Sequence, residues 1–104
     1  MSLEVHGIPV ISTAHLTKEV ADVLTKKGDG NPWVCCVPWG YGYFICLDDL
    51  DEPYSPDGDP VPQCLLDICN WRRKLEREGK LDNSRWVRLD CDADRADSLP
   101  TYDW

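Results

Sequence analysis

Two histidines, one methionine and one phenylalanine are spread through 104 residues, and no run of 18 apolar residues occurs. The missing apolar run excludes a helical membrane span. Met1 leads directly into Leu3-Glu4-Val5-His6-Gly7, with neither a basic stretch nor the apolar stretch of a secretory leader. The expected setting is therefore the cytoplasm of a bacterium or of an infected bacterium, where the six cysteines stay reduced. There is no Gly-rich phosphate loop, no zinc-protease helix and no nucleophile elbow. Cations are also scarce: 11 Lys and Arg face 19 Asp and Glu, a net charge of -8 and a pI near 4.5. Such a chain repels phosphate, which disfavours direct nucleic-acid binding and suits basic partners or plain solubility.

What is present is ordinary for a folded domain: 42% hydrophobic and 29% charged residues. A chain of this length buries roughly two thirds of its unfolded surface and needs neither disulfides nor metal to hold a core. The expected organisation is one α+β domain over 1–104, with 90–104 as a C-terminal tail.

Residues 3–11 read as a first strand, made irregular by Gly7 and Pro9. Thr17 is a candidate N-cap for a helix over 17–27, with Val20, Val23 and Leu24 at helical spacing and Gly28 as terminator. Two β-rich runs, 33–37 and 43–47, joined through Trp39-Gly40-Tyr41-Gly42, predict a hairpin. A second helix begins near Pro62, carries Leu65, Leu66, Ile68, Cys69 and Leu75 on one stripe, and ends at Gly79. Residues 85–89 alternate charged and apolar positions as a last strand. The order β-α-β-β-α-β is that of the ferredoxin-like split βαβ unit, which predicts a four-stranded antiparallel sheet with both helices on one face.

The cysteines offer weak clips. Cys35 and Cys36 are adjacent and point to opposite faces of a strand, and Cys64 and Cys69 diverge by about 140° on a helix. The expectation for all six, including Cys46 and Cys91, is service as small hydrophobes, with no metal and no cofactor. A cysteine-dependent enzyme would have only His6 or His15 as its base, so catalysis is not expected. Asp90-Cys91-Asp92-Ala93-Asp94 opens like a calcium loop. Arg95 then stands where the sixth-position Gly belongs and Thr101 where the twelfth-position Glu belongs.

Residues 39–46, Trp-Gly-Tyr-Gly-Tyr-Phe-Ile-Cys, partly match the octamer of RNA-recognition domains, whose strand aromatics stack on bases. Trp39 replaces the leading cation, Cys46 replaces the final aromatic, and the first strand lacks its partner aromatic. A single-stranded nucleic-acid binder using Tyr41 and Tyr43 is therefore the alternative reading.

Charge is segregated. Arg72, Arg73, Lys74, Arg77, Lys80, Arg85 and Arg88 cluster late in the second helix and in the last strand. Segments 48–59 and 90–103 hold eleven of the nineteen carboxylates. Each aspartate alone reads as solvated loop. Together, and with Tyr54, Tyr102 and Trp104 among them, they predict a protein-binding surface for cationic side chains. The candidate residues are Asp48, Asp49, Asp51, Glu52, Tyr54, Asp57 and Asp59 in the loop, and Asp92, Asp94, Asp97 and Tyr102 in the tail.

Ile11-Ser12-Thr13-Ala14-His15-Leu16-Thr17, Trp86-Val87-Arg88-Leu89-Asp90 and Leu99-Pro100-Thr101-Tyr102-Asp103-Trp104 resemble a small bacterial domain family of uncharacterised function. The resemblance implies carriage on plasmids, prophages and other mobile elements, and it brings no reaction or cofactor. In that context the expected function is non-catalytic. The acidic segments would occupy a basic host protein or nucleoprotein complex, as an inhibitor of the anti-CRISPR or anti-restriction type.

Overall fold

The computed structural model describes residues 8–47, 60–81 and 85–102. Strand β1 (Val10–Ser12) leads through a short 3₁₀ turn into helix α1 (Lys18–Lys27), followed by the hairpin strands β2 (Cys35–Trp39) and β3 (Gly42–Cys46), helix α2 (Gln63–Arg77) and strand β4 (Trp86–Asp90). The element order matches the pattern in the sequence, and local chemistry explains the boundaries. Thr17 caps α1 by accepting the Val20 N–H, and Lys26 and Lys27 lie in its last turn, where cations complement the helix dipole. The first hairpin strand starts at Cys35, two residues later than the β-forming run suggests. The buried Asn31 explains the delay. Its amide donates to the Gly28 and Val34 carbonyls, and its oxygen accepts the Trp33 and Val34 N–H groups. These four bonds occupy the backbone that a longer strand would use. The expected strand over 3–11 is Val10–Ser12 in the described residues, since Ile8 and Pro9 are not in a strand and 1–7 lie outside them.

The sheet corrects the fold assignment. Its order is β1-β4-β3-β2; β1 and β4 run parallel, and the other two pairings are antiparallel. The domain is a mixed α/β fold with a four-stranded sheet and two helices, not the antiparallel ferredoxin-like sheet. In the split βαβ arrangement β1 would lie against β3. Here β4 lies between them, so β1 and β3 do not neighbour each other. The element order was insufficient because a β-helix-β connection accommodates either direction of the returning strand. The register Tyr43↔Leu89 and Ile11↔Leu89 aligns apolar residues across three strands, and such alignment on one face is what selects a register.

One face of the sheet carries Cys36, Tyr43, Ile45, Val87, Leu89 and Ile11, all buried. They form a single cluster with Val20, Ala21 and Leu24 of α1 and Leu65, Ile68 and Cys69 of α2, so both helices pack on that face. The alternate positions, including Val10, Val37, Phe44 and Arg88, form the opposite face, where Val10 and Val37 are exposed. Asp29 protects the β2 edge by accepting the Cys36 N–H, which removes a donor that a stray strand could use. No helix among the described residues is long and apolar enough to cross a membrane.

The tail is part of the fold. Leu99 is buried and Tyr102 packs against the core. The Ser12 N–H donates to the Asp94 carbonyl at 3.1 Å and the Tyr102 N–H to the Ala14 carbonyl at 2.8 Å. His15, 1% exposed, is the main tie: its Nε2 accepts the Ala96 N–H at 2.9 Å, and its Nδ1 lies 2.8 Å from the Pro100 carbonyl. A carbonyl only accepts, so Nδ1 carries the proton and the ring is the neutral Nδ1–H tautomer. The two terminal motifs that suggested a family are thus neighbours in space, which gives them a structural role. Replacing His15 with Ala is expected to cost about 2–4 kcal/mol through a cavity and two lost hydrogen bonds. Urea unfolding measures the loss. Hydrogen exchange should quicken at the Ala96 and Tyr102 amides before it does in β4, and uniform quickening would contradict a local tie.

Candidate functional site

The site is assembled at the end of the sheet where the β2–β3 hairpin turns. Trp39 pairs with Gly42, so the turn consists of Gly40 and Tyr41 alone. The Tyr41 side chain is 58% exposed, and its carbonyl accepts the Cys91 N–H at 2.8 Å. That bond ties the hairpin tip to the acidic loop that follows β4. Trp39 and Tyr41 meet edge to face, with centroids 5.2 Å apart.

Arg88, on the outer sheet face, places its guanidinium 4.5 Å from the Trp39 ring centroid and 5.7 Å from that of Phe44. Its charge is balanced by Asp90 at 2.9 Å. Asp90 also accepts the Asp92 N–H with its other oxygen. Asp90, Cys91 and Asp92 bring one ligand atom each within 4.8 Å of one another, and each Asp90 oxygen already accepts one hydrogen bond.

Asp92, Asp94 and Asp97 are exposed on one loop, and among the described residues none forms an ion pair. Tyr102 is half-buried against the core. Loss of hydration raises its phenol pKa first, and the nearby Cys64 and Asp67 raise it further. Asp48, Asp49, Asp51, Glu52, Tyr54, Asp57 and Asp59 lie outside the described residues. Leu47, which precedes them, donates its N–H to the Arg85 carbonyl at the start of β4, whereas the Asp92 loop leaves from the other end of that strand.

The basic run in the sequence is dispersed by the fold. Arg72 is buried and paired with Glu76 at 2.6 Å, Arg85 reaches the same carboxylate at 4.0 Å, and Arg88 belongs to Asp90. Those cations are neutralised by acids other than Asp92, Asp94 and Asp97.

Two concavities flank this geometry. One, of about 290 Å³, lies at the hairpin tip among Trp39, Tyr41, Tyr43, Pro38, Thr25 and Cys91. At its base the Tyr43 hydroxyl donates to the Ala21 carbonyl and is bonded to the Thr25 hydroxyl. The other, of about 530 Å³, runs between Trp71, Lys74 and Arg77 of α2 and the Ser98–Pro100 stretch, and Asp67 gives it mixed charge. Neither was legible in the sequence as a concavity, because each joins segments distant in the chain, such as Tyr43 and Cys91 in the first and Arg77 and Ser98 in the second. The Gly-containing aromatic turn was the signal for the first.

Three of the six thiols are shifted away from the thiolate form. Burial pushes Cys36 up to about 11, with help from Cys35 and Asp29. Burial also raises Cys64, although hydrogen bonds from Thr17 offset part of the effect. Exposed Cys91 is raised by lost hydration and then by the Asp92 and Asp90 carboxylates. An activated cysteine needs the opposite direction.

A family model described as "Family of unknown function (DUF5983) C-terminal domain" matches residues 8–104. No curated protein matches the chain. No solved structure matches it.

Proposed function

We propose, on the premise that this chain belongs to the DUF5983 family and that the family brings no assigned reaction, that the domain is a non-catalytic module binding a basic protein surface. One observation carries the reading. The exposed aromatic hairpin tip and the carboxylates Asp92, Asp94 and Asp97, which have no ion pair among the described residues, are joined by the Cys91–Tyr41 hydrogen bond at one end of the sheet. Aromatic anchors supply buried area at low entropic cost, while a carboxylate loop steers cationic partners. Solvation alone accounts for exposed aspartates, but it does not account for a tyrosine held out beside them in a chain of charge -8. The concrete form is an inhibitor that occupies the nucleic-acid-binding surface of a host defence protein, of the anti-CRISPR or anti-restriction type. Residues 48–59 belong to the same proposal as a second acidic contribution.

The test is a triple substitution, Asp92→Asn, Asp94→Asn and Asp97→Asn, which removes charge but not shape. Surface ion pairs contribute about 0.5 kcal/mol each, so affinity for a captured basic host protein should fall about tenfold. High salt should produce a comparable loss in the native chain and little further loss in the variant. Partner binding that is indifferent to both changes would rule out the acidic surface.

A further inference from the structure

We infer that the hairpin-tip pocket takes a single cationic side chain, arginine or lysine, from the basic partner. This rests on the protein-binding reading above and names the group that the site grips. The pocket's volume of about 290 Å³ falls at the bottom of the roughly 300–1,000 Å³ range of small-molecule sites, so it suits one long side chain rather than a cofactor. Trp39, Tyr41, Tyr43 and Pro38 are among the residues that line it, and this mostly apolar lining suits an aliphatic stem.

Three features favour a cation at the end of that stem. Aromatic faces attract guanidinium and ammonium groups, and Trp39 already holds the guanidinium of Arg88 at 4.5 Å. Arg88 does not repel a second cation strongly, because Asp90 neutralises it. Cys91 lines the pocket, and the next residue, Asp92, is exposed and has no ion pair among the described residues, so a negative charge lies beside a lining residue. The Cys91 thiol, held protonated by its surroundings, is a neutral wall rather than a competing anion.

The probes are N-acetyl-arginine amide and its neutral isostere N-acetyl-citrulline amide, titrated into the isotopically labelled full chain and followed by NMR. The arginine compound should shift the Trp39 indole signal and the Gly40, Gly42 and Cys91 amides, and the citrulline compound should leave them unmoved. Tyr41→Ala should weaken the arginine compound about fivefold, the size of one exposed cation–π contact. Tyr41 is exposed, so this variant keeps the fold, and an unchanged β-sheet spectrum verifies that. Equal shifts from both compounds, shifts elsewhere, or no loss in Tyr41→Ala would overturn the pocket assignment. If the pocket signals stay still while neutralising Asp92, Asp94 and Asp97 still weakens partner binding about tenfold, the acidic surface stands and the cation pocket falls. If the arginine compound fills the pocket while partner binding ignores those carboxylates, the pocket stands and the broader acidic reading falls.

Discussion

Gly42→Ala is expected to cost about 3 kcal/mol or more, a large share of the total stability of a domain this size. Gly42 opens β3 opposite Asp90, and a Cβ there would overlap the Leu89 carbonyl oxygen, with the Leu89 carbonyl carbon at 2.7 Å and the Asp90 Cα at 3.1 Å. All three atoms belong to the β4 backbone, so no flexible side chain can move aside. Relief requires the two central strands to separate where they position the hairpin tip and the acidic loop. Gly40→Ala, two residues away in the turn, meets nothing within 4 Å and is the natural control, with an expected change within about 0.5 kcal/mol. Circular dichroism and urea unfolding of the two variants make the comparison. Similar midpoints for both would mean that β3 and β4 do not approach as described.

The second large effect is expected at Arg72. This side chain is 1% exposed, donates from Nε to the Trp86 carbonyl at 3.0 Å and bonds Glu76 at 2.6 Å, so it ties α2 to the first residue of β4. Arg72→Met leaves the Trp86 carbonyl without this donor and the partly buried Glu76 carboxylate with the more distant Arg85 at 4.0 Å, and should cost about 2–4 kcal/mol. The same physics sets a second expectation. Arg72→Met combined with Glu76→Leu removes both charges and should recover at least half of that loss, with a coupling above about 1 kcal/mol in a double-mutant cycle from urea unfolding. Additive losses would show that Glu76 is not the group Arg72 neutralises. The site at the hairpin end should keep its arginine-amide response in the double variant, because α2 and the start of β4 lie at the far end of the sheet from Tyr41.

The candidate site was legible in part. Trp39-Gly40-Tyr41-Gly42 marks a turn in any reading, because two glycines flank an aromatic between β-forming runs. Asp92, Asp94 and Asp97 mark exposed loop, because like charges at alternate spacing do not pack. Nothing in the chain order announced that the two meet, since the Cys91–Tyr41 bond spans fifty residues. The basic cluster misled for a related reason. Arg72 and Arg88 look like surface charge in a string of cations, and only packing shows that one is buried on Glu76 and the other stacked on Trp39.

Local interactions determined what the sequence carried by itself. Thr17 as cap, the apolar stripes of α1 and α2, and the alternation of β4 each depend on neighbours within a turn or two, so element order and the inward-facing residues follow from spacing. Tertiary structure alone decided the insertion of β4 between β1 and β3, the parallel pairing with β1, and the tail's attachment through His15. Those outcomes rest on long-range alignment of buried side chains and backbone partners. Alternation looks identical in a parallel and an antiparallel strand, so the direction of β4 was set by what its neighbours could bury.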